Sequence, residues 1–468
     1  MADAAQIRGR FLDGSTMGHV VRMTMTGAMG ITFVFVVDAA NLFWIGLLGD
    51  PQLMAALGFA FAIQFFSVSS GVGLMIASTA LISRSIGAGD RASARQQATA
   101  AALIAAAAQF TIAGLIVLFR HEILRLSGAT GDTAALAARY LAVTLPSLGI
   151  MAVGLIANGA LRAEGDGRRS MQVTLLSGLV AMVLDPLLIY GLGWGLDGAA
   201  AGLVIFRCVM TAMALRYAIG VHDLMARPEL GALRRVMRPY LAIALPAVLT
   251  QLATPSGNYL LTRAMAGFGD DAMAGWAVVG RLTVVAFGGI FSLAGAIGGI
   301  FGQNFGACAY DRVERTFRDA LLFGLLYALA TWALLALSGP SVVVAFGLTG
   351  LAAEVVLSFT RIGAGAFVFA SALFVSNAAF NALGRPARST GLNWFRDGII
   401  TLPLALWVSA HFGAVGVIYA QALAGALMGM VAAAWCWRFV HALRRRAVPP
   451  LDLAPARSYA HADRFRRR

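Results

Sequence analysis

Residues 81–95 read LISRSIGAGDRASAR, and residues 300–315 read IFGQNFGACAYDRVER. Each is the apolar end of a helix, then Gly-Ala, then Asp-Arg within a few positions. Other pairs recur at a similar offset: Gly49-Asp50 with Gly269-Asp270, Asn158 with Asn377, and Gly165 with Gly384. Gly195-x-x-Gly198 likewise pairs with Gly413-x-x-Gly416. The chain is one half written twice. In an apolar chain, that duplication points to a transporter whose site lies between the halves. A single pore or a receptor has less need of such symmetry.

The 468 residues are 59% apolar and only 12% charged. A soluble domain cannot hide that much apolar side chain, so the chain reads as an integral membrane protein. With roughly 20 residues needed per span, the apolar stretches predict about twelve helices. They fall at 22–48, 52–83, 96–119, 134–161, 171–193 and 198–220, then at 240–266, 272–303, 317–339, 354–383, 389–411 and 413–438. The alternating pattern of a membrane β-barrel is absent. The expected fold is all-α and polytopic, with two six-helix lobes related by a pseudo-two-fold axis along the membrane normal. The expected divisions are an N-terminus at 1–21, lobes at 22–220 and 240–440, a linker at 221–239 and a basic tail at 441–468. Pro146, Pro186, Pro246, Pro255 and Pro403 fall within spans and should kink them.

A net charge of +14 invites a nucleic-acid reading, which its distribution refutes. All 36 basic residues are Arg, and most lie on alternate loops and the tails. Those loops hold Arg84, Arg91 and Arg95; Arg162, Arg168 and Arg169; Arg312, Arg315 and Arg318; and Arg385 and Arg388. The intervening loops carry Asp50, Asp132, Asp197, Asp270 and Asp271. This asymmetry places both termini in the cytoplasm, with the protein in the bacterial inner membrane. No nucleic-acid partner is implied; the Arg clusters would meet anionic lipid. No cleavable signal stands at the start. Cys208, Cys308 and Cys436 have no metal or disulfide spacing and are expected to pack. No Walker A pattern occurs, and neither enzyme chemistry nor a cofactor is expected beyond a coupling ion.

FVVDAANLFWIGLLGD in helix 1, the GAGDR and GACAYDR turns, ALRAEGDGRRS, VLDPLLIYGLG running into GLDGAAAGL, and ALGRPARS follow one another in order. Together they resemble the multidrug and toxic compound extrusion (MATE) transporters, most closely the DinF-like branch, over about residues 15–440. The resemblance implies two V-shaped six-helix lobes around a central cleft. It also implies export of organic, often cationic, compounds against inward H+ or Na+.

Two acids stand out because a charged group at mid-membrane costs about 2.5–3.5 kcal/mol. Asp38 lies deep in helix 1, with Asn41 one turn on along the same face. Asp185 lies about as deep in helix 5, just before Pro186. In the second half Asp38 maps to Asn258, and Asp185 to about Leu402. The sister lobe is built without these acids, so they are not a requirement of the repeat. They are the candidate coupling site, trading a proton for a cationic cargo, with Asn41 and Asn158 as hydrogen-bonding partners. Asn158, matched by Asn377, could equally hold its bundle together. The resemblance implies an Asn one turn before Asp185 and a Thr in helix 6; Ala181 and Leu203 stand there instead. That departure favours H+ over Na+.

Arg207 falls at the depth of Asp185 across the turn at Gly195. A salt bridge between them would make the acid structural or part of a gate. Arg281, Arg361 and the pair Arg396-Asp397 are further charges within spans; the last pair should neutralise itself. Candidates to line the cleft are Phe35, Gln64, Phe65, Phe66, Asn258, Tyr259, Arg281, Phe287 and Asn377, with Trp276, Phe374 and Trp394. Apolar walls with few directional groups bind flat organic cations promiscuously. The expected function is a monomeric secondary antiporter for amphiphilic organic compounds. The alternatives are a flippase for a lipid-linked precursor, or an exporter of an anionic or zwitterionic metabolite.

Overall fold

In a computed structural model, residues 9–446 are described. The expected basic tail beyond Arg446 and the first eight residues lie outside them. Helix is the form an apolar chain must take where no water can satisfy its backbone, and among the described residues no strand occurs. The N-terminal half holds α1 (Thr16–Gly46), α2 (Pro51–Gly87), α3 (Arg91–Leu118), the short α4 (Arg120–Leu126), α5 (Gly131–Thr144), α6 (Ser147–Glu164), α7 (Gly167–Pro186) and α8 (Gly195–Gly220). The C-terminal half holds α9 (Leu230–Ala266), α10 (Asp270–Gly306), α11 (Tyr310–Ala345), α12 (Gly350–Arg361), α13 (Phe367–Ala382), α14 (Pro386–Trp394), α15 (Thr401–Phe412) and α16 (Ala414–Arg446).

Among the described residues, ten spans are long and apolar enough to cross a membrane, and α5 with α6 makes an eleventh across a 48° bend. The expected span at 389–411 is a broken string, α14 and α15 joined by a π turn at 395–400. The corresponding string in the first half is α7, continued by a π turn at 187–191. Of the expected proline kinks, Pro146 sits at the bent α5–α6 break, while Pro186 and Pro403 adjoin the π turns. Pro246 and Pro255 do not break their helix. α9 runs on through both, with the Thr250 and Thr390 hydroxyls donating to the Pro246 carbonyl. α9 also starts at Leu230, ahead of the expected 240, so only residues 221–229 join the halves.

The repeated glycines are turn residues. Gly49 and Gly269, Gly165 and Gly384, and Gly195 and Gly413 all have positive φ, where only a residue without Cβ is unstrained. Gly89 (φ 77°) is matched by Cys308 (φ 58°), so the second copy of the opening motif makes the same turn without a glycine. Asp90 then caps α3 by accepting from the Ser93 N–H at 2.9 Å, the role expected of Asp at a helix start. Cys308 is exposed at that turn and Cys208 is exposed on α8. Only Cys436 packs, against the expectation for all three.

Within the first half α6 packs on α2, α3 and α8, and α1 packs on α7; within the second, α13 packs on α10, α11 and α16. The seam is two-fold in pattern: α1 lies along α10 and α2 along α9, with α2 against α10 at its centre. Apolar clusters that bridge the halves use Phe11, Val20 and Met23 with Ile297 and Phe301, and Leu74 and Met75 with Tyr240 and Ile243. All of these lie toward the Arg-rich ends of their helices. Toward the acidic ends, Phe35, Val36, Phe61, Phe65, Phe66 and Tyr259 are exposed. The two lobes meet at the Arg-rich end.

Candidate functional site in the N-terminal lobe

The face of α1 that carries the site is set by helical spacing. Phe33 and Val37 close over Gly178 of α7, where a Cβ would stand only 2.6 and 2.9 Å from them. One turn on, Asn41 Nδ2 donates to Asp185 Oδ2 at 2.9 Å, tying α1 to the last turn of α7. Asp185 is 2% exposed, and its Oδ1 has no hydrogen-bond partner. That oxygen lies in the notch left by Gly202 of α8, where a Cβ would collide with it. Asp38 is half-buried one turn before Asn41.

A second polar group lies at the broken span. Leu148 N–H bonds back to Leu145 rather than to Thr144, so the Thr144 carbonyl loses its helical donor. The Ser147 hydroxyl donates to that carbonyl at 2.6 Å, and Arg207, 3% exposed, is its second donor. Its Nη1 donates to the Thr144 carbonyl at 2.7 Å and to Ser147 Oγ at 2.9 Å, and its Nη2 donates to Gln64 Oε1 at 2.6 Å. Gln64 in turn donates to Thr144 Oγ1 at 3.3 Å. A cation at the C-terminal end of α5 also meets the favourable end of the helix dipole.

Arg207 and Asp185 therefore form no ion pair, correcting the pairing suggested by their equal depth. The guanidinium is spent on the helix break, and depth alone did not fix its direction. The same lobe holds half-buried Asp38 and buried Tyr140. The two acids thus share one lobe interior with a fixed cation and a phenol.

Several expected residues fall elsewhere. Gln64 belongs to the Arg207 network, not to a cleft wall. Phe287 is fully buried and stacks on Phe367 at 3.8 Å, so it packs the C-terminal lobe. Asn377 is buried and accepts from Asn393 Nδ2 at 3.0 Å, again within that lobe. Asn158 is buried with Oδ1 unpartnered and has no hydrogen bond to either acid. Phe35, Phe65, Phe66, Asn258, Tyr259 and Arg281 are exposed. Arg361 is exposed, and Arg396 neutralises Asp397 with two bonds of 2.7 and 2.8 Å. Trp276 and Trp394 donate to Thr262 Oγ1 and the Leu249 carbonyl, and Phe374 packs edge-on against Phe291. Tyr140, Thr144 and Ser147 went unnoticed in the sequence. Their signal was a Thr-x-Pro-Ser break with a Tyr one turn before it.

Two helical lobes around a seam of two-fold pattern, one holding acids with no ion-pair partner among the described residues and the other an acid neutralised by Arg396, are the build of a transporter. The MatE family model matches residues 28–187 and 246–407, once in each half. The chain belongs to the MATE family. It is 24% identical over 417 residues to the FAD transporter of Shewanella oneidensis, covering 88% of this chain and 92% of that protein. It is 23% identical over 401 residues to the multidrug export protein MepA of Staphylococcus aureus, covering 84% and 87%. Its fold is similar to that of a multidrug-resistance MATE transporter in an outward-facing conformation, with TM-score 0.86, 23% identity, and 93% and 98% of the two chains covered.

Proposed function

We propose that this transporter is an H+-coupled antiporter that exports amphiphilic, mainly cationic organic compounds from the cytoplasm, with the Arg-rich end facing inward. The observation that carries this reading is the one-sided placement of acids. Asp38 and Asp185 share the interior of the first lobe, while the sister lobe carries Asn258 in place of Asp38. A proton taken up on the acids from the outside and a cationic cargo arriving from the inside would compete for one negative charge, and that competition is exchange. Arg207 supports H+ over Na+, because a tethered cation already occupies the carbonyl end of the broken span. Exposed Phe35, Phe65, Phe66 and Tyr259 offer apolar walls for flat cargo, and surrounding lipid is the other partner. The protein is taken to act as a monomer.

The deciding experiment is purified protein in vesicles with separately imposed pH and Na+ gradients, scored for efflux of a fluorescent organic cation without ATP. Efflux driven by Na+ alone would overturn H+ coupling. A second reading, export of an anionic or zwitterionic metabolite, draws on exposed Arg281 and on the FAD transporter among the relatives. Competition of the fluorescent cation by a dinucleotide would favour it.

A further inference from the structure

Between the lobes at the Arg-rich end lies a cavity with room for little more than a water. Its walls include Thr26 of α1, Arg162 at the end of α6, Gly167 and Ser170 of α7, and Ser292 and Ala296 of α10. Arg162 Nε donates to Ser170 Oγ at 3.0 Å. Among the described residues it has no carboxylate within ion-pair distance, although two acids are near in sequence. Glu164 is engaged by Arg91, and Asp166 by Arg169 and His222. The guanidinium instead crosses α10 at Gly295, where a Cβ would stand 3.0 Å from Nη1.

The donors at this place are unspent. Ser170 accepts from Arg162, and its own O–H has no acceptor among the described residues. The first turn of α7 is already capped by Asp166, whose carboxylate accepts from the Arg169 N–H, so the free donors here are those of Arg162 and Ser170. Thr26 and Ser292, by contrast, give their hydroxyl protons to main-chain carbonyls. We propose that Arg162 and Ser170 form an anion subsite for a phosphate or carboxylate group, complete only when the lobes part at this end. The cavity is small because Ser292 and Ala296 belong to the opposite lobe; withdrawing α10 enlarges it and bares the guanidinium to the cytoplasmic-side cleft. Arg84 is released at the same time, since its partners across the seam are the carbonyls of Asn381 and Ala382 and the face of the Phe305 ring. An anion that binds the parted state better shifts the protein toward it. This site needs neither Asp38 nor Asp185 and is independent of the coupling reading.

The test is thermal unfolding of the detergent-purified protein against inorganic phosphate at constant ionic strength. The expected result is a saturating rise in Tm that Arg162→Gln abolishes and Ser170→Ala weakens several-fold. A disulfide lock across the seam, Thr16→Cys with Asp319→Cys in a background lacking the native cysteines, should bind phosphate when reduced and lose it when oxidised. A parallel series in nanodiscs of phosphatidylcholine or phosphatidylglycerol identifies the source. An Arg162-dependent shift with phosphatidylglycerol alone assigns the site to a lipid headgroup, and a shift with free phosphate assigns it to a soluble anion. Absence of both, a shift unchanged in Arg162→Gln, or equal binding by the oxidised lock overturns the proposal.

Discussion

Arg84 and Gln303 stand 219 positions apart, at equivalent places in the two halves, and each reaches the last carbonyls of a helix in the opposite lobe. Arg84 Nε donates to the Ala382 carbonyl at 2.8 Å, and Gln303 Nε2 donates to the Ala163 carbonyl at 2.6 Å. Ala163 and Ala382 are themselves 219 positions apart, so the two bonds are images of each other. Helix ends leave their final carbonyls without internal donors, and here each lobe supplies the donor for the other. The repeat in the sequence is therefore also a device for closing the seam.

The glycines of the same motif make that approach possible. A Cβ on Gly87 would collide with the Gln303 carbonyl, and one on Gly306 would collide with the Arg84 carbonyl. Gly87→Ala or Gly306→Ala should destabilise the closed seam by about 1–3 kcal/mol, the usual scale of overpacking. The check is the labelling rate of Ser83→Cys, a position fully buried in the seam. Labelling should accelerate in either variant, and unchanged protection would show that the seam does not depend on these glycines.

Asp38→Asn converts the first lobe to the residue its sister lobe carries at Asn258. Because that lobe is built around an amide there, insertion and Tm should stay close to wild type. Efflux driven by a pH gradient should fall to background. Asp185→Asn should behave in the same way toward the gradient, but with some loss of stability, since it disturbs the Asn41 bond and the fit against Gly202. Full gradient-driven efflux from Asp38→Asn in vesicles would remove that acid from the mechanism.

Arg207→Leu should act mainly on stability. It leaves Gln64 Oε1 without its donor and the Thr144 carbonyl with only the Ser147 hydroxyl, and a buried acceptor left unpaired costs about 1–3 kcal/mol. A fall of several degrees in Tm is expected, with partial recovery in Arg207→Lys, which keeps a donor but not the fork. A Tm unchanged within error would mean that water or a shifted side chain serves the broken span equally well.

The halves, the spans and the turns were legible because each rests on a local rule: apolar length, left-handed glycine, helix-capping Asp. Pro246 and Pro255 leave α9 unbroken, which a proline in a sequence does not by itself announce. Asp38 and Asp185 could be singled out since a mid-span acid is rare enough to signify by itself. What Arg207 does could not be read, because its partners come from α2, α5 and α6 and depend on which way the side chain turns. The aromatic candidates divided for the same reason. Phe287 and Phe35 look alike in one dimension, yet one is core and the other exposed.

Residues 221–229 are strapped to the first lobe, and the strap carries the clearest pH dependence outside the spans. His222 Nε2 lies 2.8 Å from Asp166 Oδ2, Arg169 Nη1 donates to the same oxygen at 2.5 Å, and the Arg169 N–H donates to Oδ1 at 3.0 Å. Burial pushes the Asp166 carboxyl up, but the bonds from His222 and Arg169 outweigh it and hold the group well below the usual carboxylate range. A carboxyl depressed in the folded state adds stability above its unfolded value, near 3.9, and that stability is lost as pH falls through the folded value. The contribution should therefore be constant from neutral pH to about pH 5 and shrink on further acidification. Asp166→Asn keeps a weaker helix cap and should cost about 1 kcal/mol at pH 7. Its Tm should converge on that of the wild type as pH is lowered toward 3. A gap between the two proteins that stays constant over that range would show that the ionised Asp166 contributes nothing to holding the strap.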